Sequence, residues 1–430
     1  MSKTTSRLFS PIKNRLRATP WIYRAALWVK RCVVPAVPDA FWEFYRSLAS
    51  RAWMQLYSTA PLRQKSALYS WVACIRNGPP FRLFSAYQAL RCGWPQFPGR
   101  IVLEDQGTPS VRPGSLLANG TVQQHVQQPW PVFWSRHQQV HLVSPSLALV
   151  SAEKELCLES VYGAGYFRND PATRYWRLPV PVTLPGNWTS IVSRWVPTNR
   201  PKAVPNHSHW LLDALPRLAL LREFPADTRI IVPGQLAAYQ KESLAMLGLT
   251  ADRIRFSPET HLEVENYYFS SPPSMIACHS PYAVRFLRDS FLPKAAADYS
   301  GHRRFFIKRA DDPKKVENSG ELERFFAGLG WGIMDLSRLT FAQEIRLFAE
   351  ADAICGIFGS GLTNTLFCRP DCAVVALAHD YWTDGVLDWI LQTVGVDKYS
   401  VQVCPTDKCR RFQVDMNILQ RQLESVGLLP

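Results

Sequence analysis

The last third of the chain alternates short apolar runs with amphipathic helical segments, and no other feature limits the possible folds as strongly. Five apolar runs follow one another, separated by segments with helical period, except that the third run leads into a glycine-rich turn. The predicted strands are Phe305–Lys308, Gly332–Leu336, Ala353–Ile357, Ala373–Ala378 and Tyr399–Val403. This order predicts an α/β fold with a parallel, doubly wound sheet that binds its ligand at the carboxyl ends of the strands.

A second α/β alternation precedes this one, so we predict two Rossmann-like lobes that face a cleft. Helices are predicted at Ser208–Arg222, Gln235–Leu247 and Pro281–Leu292. The segment before them is richer in strand patterns, which we place at Ile101–Glu104, Gln139–Val150, Val180–Leu184 and Ser190–Val196. The predicted domains are an N-terminal extension over residues 1–100, a first lobe over 101–295 and a second lobe over 296–430.

The positive charge of the chain is concentrated in its first hundred residues. The formal net charge is +14, and residues 1–100 hold 16 Lys and Arg but only two acids, Asp39 and Glu43. This segment is also rich in Trp, Tyr and Phe and is broken by prolines, so we predict a basic, aromatic-rich helical extension. Such a composition suits an anionic membrane surface, which we predict for residues 1–60. A solvated basic face and a cleaved organellar presequence are alternatives, whereas nucleic-acid binding is disfavoured because no recognised motif accompanies the charge.

Cysteine usage and hydropathy bear on the compartment. The 10 cysteines are scattered without a dense framework, which favours reduced thiols in the cytoplasm. No run reaches the length of about 18 apolar residues that a membrane span needs. We therefore expect a cytoplasmic protein that is peripheral at the inner membrane surface.

A glycine turn follows the third predicted strand of the last lobe. Gly356, Gly359 and Gly361 lie within six residues, and Leu362–Phe367 has the pattern of a helix start. A strand, a glycine turn and a helix start together present unpaired backbone N–H groups to a phosphate. A tight turn without a ligand is the alternative, because the spacing matches neither the dinucleotide fingerprint nor the P-loop.

Polar residues are clustered on the otherwise apolar segment that begins at Asn206. His209 and Asp213 are four residues apart and therefore share a helix face, and Asn206 can cap the helix. A carboxylate paired with a histidine suits a general base. A helix cap with a hydrogen-bonded core histidine is the alternative. A zinc site that includes His207 is disfavoured, since His207 and His209 point to different faces.

Basic residues follow the first strand of the last lobe. Lys308, Arg309, Lys314 and Lys315 lie there, with Asn318 just beyond them. Cations at the carboxyl end of a strand can neutralise a diphosphate, although a solvated basic loop is the alternative.

These stretches together resemble glycosyltransferase family 61. The family has an N-x-G-H-W-x-x-D-x-x-P-R-like helix, an Arg and an Asn ahead of a later helix, an apolar helix with a Gln, and a G-x-H-G-A-G-L-T-N-like loop. The matching residues are Asn206, His209, Trp210, Asp213, Pro216, Arg217, Arg309, Asn318, Gln343, Ile345, Leu347, Phe348, Gly356, Gly359, Ser360, Gly361, Leu362, Thr363, Asn364 and Phe367. The resemblance covers roughly residues 190–400 and leaves out the first hundred.

The resemblance implies a two-lobed glycosyltransferase of the GT-B type that inverts the anomeric centre of a nucleotide sugar without a metal ion. The nucleotide sugar, which we expect to be a UDP sugar, would be a co-substrate, and no other cofactor is implied. The acceptor would be a polysaccharide or a lipid-linked glycan, as in the biosynthesis of capsule or lipopolysaccharide. The first lobe would then bind the acceptor and the second lobe the donor.

The resemblance also implies roles for individual residues. Asp213, oriented by His209, would take the proton of the acceptor hydroxyl. Supporting positions are Asn206, Arg217, Phe358 and His379. The predicted donor-binding residues are Arg309, Asn318, Gly359, Ser360, Gly361, Leu362, Thr363 and Asn364.

Two positions depart from the family pattern. Phe358 replaces the histidine of the loop, and Ala376 stands where an acidic residue of the following strand could hold a ribose. His379 or Asp380 could take over that second role. These departures motivate an alternative function, in which a catalytically degenerate member binds a glycan or a partner protein. A zinc hydrolase built on His207, His209 and Asp213 is a third, weaker hypothesis.

Overall fold

The structure is a computed structural model that describes most of the chain after residue 81. The described residues are 82–84, 86–91, 98–103, 110–112, 125–127, 131–144, 146–152, 155–161, 178–192, 206–232, 234, 236–272, 274–275, 278–309, 316–380, 385–407 and 411–429. The predicted membrane-binding segment, residues 1–60, lies outside them. The helical character of the basic N-terminal extension therefore stays a prediction.

The strands are numbered in chain order. They are β1 (Arg82–Phe84), β2 (Gly99–Leu103), β3 (Ser110–Arg112), β4 (His125–Gln127), β5 (Val132–Val143), β6 (Ala148–Val150), β7 (Glu155–Cys157), β8 (Val182–Ser190), β9 (Arg229–Val232), β10 (Ile254–Phe256), β11 (His261–Ser270), β12 (Ser274–Met275), β13 (Cys278–His279), β14 (Arg304–Ile307), β15 (Gly332–Met334), β16 (Ala353–Ile357), β17 (Ala373–His379) and β18 (Tyr399–Cys404).

Within the described residues, the helices fall mainly in the second half of the chain. The α-helices are Ala86–Arg91, His207–His209, Ala238–Met246, Pro281–Phe291, Ser319–Gly328, Phe341–Ala349, Val386–Val394 and Met416–Ser425. A π-helical turn covers Trp210–Ala214, and 3-10 helices cover Glu159–Val161, Leu215–Glu223, Ala251–Arg253, Leu292–Lys294, Leu336–Arg338 and Ser360–Phe367. None of the helices within the described ranges combines the length and the apolarity that crossing a membrane requires.

The described residues fall into two compact units that are each discontinuous in sequence. The first takes in the residues up to Arg100, 135–190 and 257–269, and the second takes in 101–134, 191–256 and 270–430. In the first unit, β1, β7, β6, β5, β11 and β8 follow one another in a mixed sheet. The parallel pairs β1–β7 and β8–β11 accompany the antiparallel pairs β5–β6 and β6–β7.

The second unit contains a five-stranded, fully parallel sheet in the order β15-β14-β16-β17-β18. Apolar residues alternate between its two faces: Phe305 and Ile354 pack in one buried cluster, and Phe306 and Cys355 pack in the other. Helices cover both faces, which is why the strands have no polar side in the sequence. The chain leaves β14 towards β15 and then returns to β16 on the other side of β14. The gap between β14 and β16 is thus the topological switch point, where ligands of such sheets bind.

The α/β fold and all five strands of the last lobe are confirmed, with ends shifted by at most two residues. The single strand predicted at Gln139–Val150 is wrong, because β5 and β6 are separated by a turn in which Leu147 has a left-handed φ of 51°. The sequence of this turn contains Ser144, Pro145 and Ser146, a turn signal that the strand prediction overlooked. The strand predicted at Val180–Leu184 begins two residues later and is the start of β8, which continues to Ser190. Of the strand predicted at Ser190–Val196, Ser190 ends β8, residues 191 and 192 are not in a strand, and residues 193–196 lie outside the described residues. The predicted domain boundaries stay predictions.

Candidate active site

His209 and Asp213 form a hydrogen-bonded pair at the start of the helical segment 207–223. Nδ1 of His209 lies 2.6 Å from Oδ2 of Asp213. Asn206 caps the segment, since its Oδ1 accepts from the backbone N–H groups of Ser208 and His209 at 3.0 and 3.4 Å. The Asp213 side chain is 6% exposed and that of His209 is 21% exposed. The predicted i, i+4 pairing is thus present, with the imidazole nearer to solvent than the carboxylate.

Asp213 lies in an irregular part of this segment. After one α-helical turn the helix widens, and the N–H of Leu215 bonds to the carbonyl of Trp210, five residues back. Pro216 accounts for the irregularity, because a proline has no N–H and its ring crowds the carbonyl four residues before it. Wide turns of this kind occur often at functional sites. The sequence pattern predicted an uninterrupted helix here, so this detail was missed.

Two buried side chains anchor the widened turn. Arg217 donates from Nε to the carbonyl of Asp213 at 3.2 Å and from Nη1 to the carbonyl of Ser270 at 3.1 Å. Trp210 donates from Nε1 to Oγ of Ser243 at 3.0 Å. Arg217, predicted as a supporting residue, therefore holds the backbone of Asp213 in place.

The glycine turn lies at the switch point of the parallel sheet. It follows β16, and the basic residues follow β14, whose Ile307 is in register with Gly356. Arg309 donates from Nη1 to the carbonyl of Phe358 at 3.3 Å. A Cβ atom on Gly359 would lie 3.2 Å from that guanidinium nitrogen, so glycine permits the close approach. The segment Ser360–Phe367 is a 3-10 helix rather than the predicted α-helix start.

The turn and the His209–Asp213 segment are in direct contact through buried polar side chains. Nε2 of His207 lies 2.9 Å from Oδ1 of Asn364, and Nδ2 of Asn364 donates to Oε2 of Glu344 at 2.6 Å. Nε2 of His207 is also 3.6 Å from Oε2 of Glu344. The structure therefore brings together two motifs that are about 150 residues apart in the sequence.

Burial controls the protonation of this cluster. Burial raises the pKa of Glu344 to about 8, a shift opposed by the Asn364 hydrogen bond and increased by the nearby Glu242 carboxylate. Burial also lowers the pKa of His207, although its bond to Asn364 acts in the other direction. The pKa of Tyr239 is raised by burial and by Glu344. At neutral pH the cluster therefore consists mainly of uncharged groups.

The remaining predicted donor-binding residues differ in their environments. Ser360 and Gly361 are partly exposed at the turn, whereas Leu362, Thr363 and Asn364 are buried. Asn318 is engaged with the backbone of Val414, to which it donates at 2.9 Å and from which it accepts at 3.0 Å. These bonds give Asn318 a structural role. Its predicted contact with a donor stays a prediction.

The two departures from the family pattern have structural explanations. Phe358 uses its backbone N–H to bond the carbonyl of Leu377 at 2.8 Å, and its ring packs against the core. Ala376 is fully buried in the middle of β17, so a side chain there faces the core. His379 ends β17, is buried and contacts the Phe412 ring. Asp380 follows it and accepts from the Thr406 hydroxyl at 2.6 Å, and this bond lowers the pKa of its exposed carboxyl.

Sequence reasoning missed Glu344, Glu242 and Tyr239. Glu242 accepts from the backbone N–H groups of Phe341 and Ala342 at 2.8 and 3.0 Å and so caps the helix Phe341–Ala349. The ring of Tyr239 lies 4.9 Å from that of His207. An acid within the otherwise apolar pattern of this helix was the available signal for Glu344, since a buried carboxyl needs a partner.

Two groups of residues contain side chains of the kinds that ligate metals. Among the residues that the structure describes, no group of three or more His, Cys, Asp or Glu has the arrangement of a metal site. His207 turns to Asn364 while His209 turns to Asp213, as their spacing predicted. Cys368 and Cys372 are buried, and burial raises the pKa of Cys368 well above its ordinary value.

Comparison with known proteins agrees with the geometry. Residues 208–375 match the family model described as Glycosyltransferase 61. The match begins one residue before His209 and ends within β17, so it includes the His209–Asp213 pair and the glycine turn. The search of curated proteins finds no match. The match assigns residues 208–375 to a glycosyltransferase 61 domain, and this domain supports a glycosyltransferase activity for the protein.

Proposed function

We propose that the protein transfers a sugar from a nucleotide sugar to a hydroxyl group of a polysaccharide or a lipid-linked glycan, with inversion at the anomeric carbon. One observation carries the proposal: a His–Asp pair lies on a segment that is hydrogen-bonded to the 3-10 helix directly after the glycine turn, at the switch point of a parallel sheet. A base and a phosphate site in this proximity suit in-line displacement of a nucleoside diphosphate.

The acceptor hydroxyl loses its proton to the His209–Asp213 pair as it attacks the sugar. From the sequence, Asp213 was the expected base and His209 the group that orients it. The relative burial of the two side chains favours the reverse, in which His209 takes the proton and Asp213 holds the imidazole. A buried carboxylate that orients a histidine is a recurrent arrangement in general-base catalysis.

The departing diphosphate binds at the glycine turn. Its charge is met by Arg309 and by the backbone N–H groups of Gly359, Ser360 and Gly361, where the 3-10 helix begins. The N–H of Leu362 already bonds the carbonyl of Gly359 at 3.0 Å. Preorganised donors of this kind supply a large share of the rate enhancement in many enzymes. Because a guanidinium and a helix start provide positive charge, we propose that the reaction needs no metal ion.

The nucleoside lies along the neighbouring strand ends. Asp380, at the end of β17, has an exposed carboxylate that can accept from ribose hydroxyls. His379 is buried and less suited to that contact. We propose a UDP sugar as donor, held in a GT-B arrangement in which the parallel sheet forms the donor-binding lobe.

The basic segment 1–60 places the enzyme at an anionic membrane surface on the cytoplasmic side, next to a lipid-borne acceptor in the synthesis of capsule or lipopolysaccharide. Its charge and aromatic content support this part of the proposal. Sedimentation with vesicles that contain phosphatidylglycerol tests it. The full chain should sediment, and a variant without residues 1–60 should stay in solution.

The main test is nucleotide release from a panel of UDP, GDP and CMP sugars. Wild-type enzyme should release a nucleotide from one of them, and Asp213→Asn should release it far more slowly. Chelation with EDTA should change the rate little, and strong inhibition would contradict the metal-free mechanism.

The alternative is a degenerate member that binds a glycan or a partner protein without catalysis. Phe358 and Ala376 motivate it, because each replaces a polar residue of the family pattern. Calorimetry separates the two hypotheses. Absence of nucleotide and nucleotide-sugar binding at millimolar concentration would favour the alternative.

A further inference from the structure

Three side chains from three separate elements form a continuous chain of hydrogen bonds next to the proposed catalytic pair. His207 begins the helical segment that carries His209, Asn364 lies in the 3-10 helix after the glycine turn, and Glu344 lies on the helix Phe341–Ala349. The distances are 2.9 Å from His207 Nε2 to Asn364 Oδ1 and 2.6 Å from Asn364 Nδ2 to Glu344 Oε2. Asn364 is completely buried.

The direction of each bond follows from the donors and acceptors. The amide nitrogen of Asn364 can only donate, so Glu344 accepts. The amide oxygen of Asn364 can only accept, so His207 donates from a protonated Nε2. Since both ends of the Asn364 amide are used within the protein, this side chain has little capacity left for a ligand.

Neighbouring groups fix the two ends of this chain. Tyr239 packs its ring against His207 at 4.9 Å, and Phe341 lies 6.2 Å away on another side. Glu242 holds the first turn of the helix that carries Glu344 through two backbone N–H groups. The network therefore joins four elements of the second compact unit.

Two of the elements that meet here have little internal regularity. The segment of the catalytic pair has one α-helical turn before it widens, and the segment after the glycine turn is a 3-10 helix of 8 residues. Such helices have weaker internal hydrogen bonding than a regular α-helix. Cross-links between them are needed to fix their separation.

We propose that His207, Asn364 and Glu344 are positioning residues that hold the His209–Asp213 pair at its working distance from the glycine turn. The proposal rests on the proposed function and reassigns Asn364 from a donor ligand to a link between the two halves of the site. It predicts that loss of the network reduces the rate of the chemical step more than it reduces donor binding.

Kinetics of three variants test the proposal, with donor affinity measured separately by calorimetry. Glu344→Ala and Asn364→Ala should lower kcat by about 10- to 100-fold, because misplacement of reacting groups by about 1 Å has effects of that size. The donor dissociation constant should change by less than about threefold. Glu344→Gln should restore kcat to near the wild-type value, since its amide oxygen can still accept from Asn364.

A control separates positioning from general destabilisation. Thr340 caps the same helix by accepting from the N–H of Gln343 at 3.2 Å, and it lies outside the network. Thr340→Ala should lower the melting temperature with kcat unchanged. Weakened donor binding with kcat retained in Asn364→Ala would overturn the proposal and make Asn364 a donor ligand. An equal loss of kcat in Glu344→Gln and Glu344→Ala would also overturn it.

A spectroscopic measurement keeps the proposal testable if no donor is turned over, an outcome that would count against the proposed function alone. Histidine side-chain NMR reports on His209 directly. Glu344→Ala should shift the imidazole resonances of His209, and Thr340→Ala should not. Unchanged His209 resonances in Glu344→Ala would show that the network does not position the pair.

Discussion

Two histidines on the same helical segment, His207 and His209, are both close to a carboxyl group, yet their surroundings differ. His209 contacts Asp213 directly at 2.6 Å, and its side chain is 21% exposed. His207 reaches Glu344 mainly through Asn364, and its side chain is 15% exposed beneath the Tyr239 ring. Glu344 also faces Glu242, and that carboxylate raises its pKa further.

Because of this difference, one short segment can carry both a catalytic histidine, His209, and a structural one, His207. A proton acceptor must meet its substrate, and of the two imidazoles His209 is the nearer to solvent. The other pair bridges separate elements and loses its charge, because burial disfavours ionised groups. The following predictions, from the largest effect to the smallest, test whether the two pairs really have separate roles.

The largest effect is expected for the His209–Asp213 pair. Asp213→Asn and His209→Ala should each lower kcat by about 10²- to 10⁴-fold, the usual range for loss of a general base or its orienting group. Added imidazole should restore part of the activity of His209→Ala if His209 takes the proton. Rescue of Asp213→Ala by formate, with no rescue by imidazole in His209→Ala, would return the role of base to Asp213.

A smaller loss is expected at the phosphate side of the site. Arg309→Ala should lower kcat by about 100-fold, since it removes one preorganised positive group from the leaving diphosphate. Arg309→Lys should recover part of this loss, because the charge remains but the fork of donors does not. Full activity of Arg309→Ala in nucleotide-release assays would show that the leaving diphosphate does not bind beside Arg309 at the glycine turn.

The His209–Asp213 pair was predictable from the sequence because its signal is local. His209 and Asp213 are one helical turn apart, and the cap at Asn206 precedes them within a few residues. The strands of the parallel sheet were predictable for a related reason, since strands buried on both faces are continuously apolar. That Arg309 and Gly359 each follow a strand was predicted, whereas the adjacency of those two strands comes from the sheet order of the structure.

The buried network was not predictable, because its members are far apart in the chain. Asn364 was predicted to contact a donor, and only the tertiary structure shows that both ends of its amide bind protein groups. The widening of the helix at Trp210–Ala214 was missed because Pro216 lies after the turn that it distorts. Glu344 had a local signal, but its partners did not.

The pH dependence of stability tests the His207–Glu344 pair. The folded protein keeps a proton on Glu344 up to a pKa of about 8, whereas the unfolded chain releases it near 4.5. The folded state binds more protons between these pH values, so this group lowers the free energy of unfolding as pH rises through that window. At about 1.4 kcal/mol per pKa unit, the effect is on the order of a few kcal/mol.

Glu344→Gln cannot titrate and should lose this dependence. In urea unfolding, its stability relative to wild type should increase from pH 5 to pH 8 and level off above. His207 has the opposite dependence, because its lowered pKa makes the folded state lose stability as pH falls below about 6.5. That contribution is common to both proteins and cancels in the comparison. Parallel curves for the two proteins would mean that Glu344 is ionised in the fold.

The smallest effect is expected for the hydrogen bond between Trp210 and Ser243. Trp210 donates its indole N–H to Oγ of Ser243 and so fixes the helical segment to the helix Ala238–Met246. Trp210→Phe removes the bond and leaves a small void, which should cost about 1 to 3 kcal/mol of stability. Because Arg217 and the His207–Asn364 bond still hold the segment, kcat should change by less than about threefold. A loss of kcat as large as that of Asp213→Asn would show that the His209–Asp213 pair depends on this anchor more than on the network of His207, Asn364 and Glu344. Catalytic and structural roles would then not be divided between the two pairs.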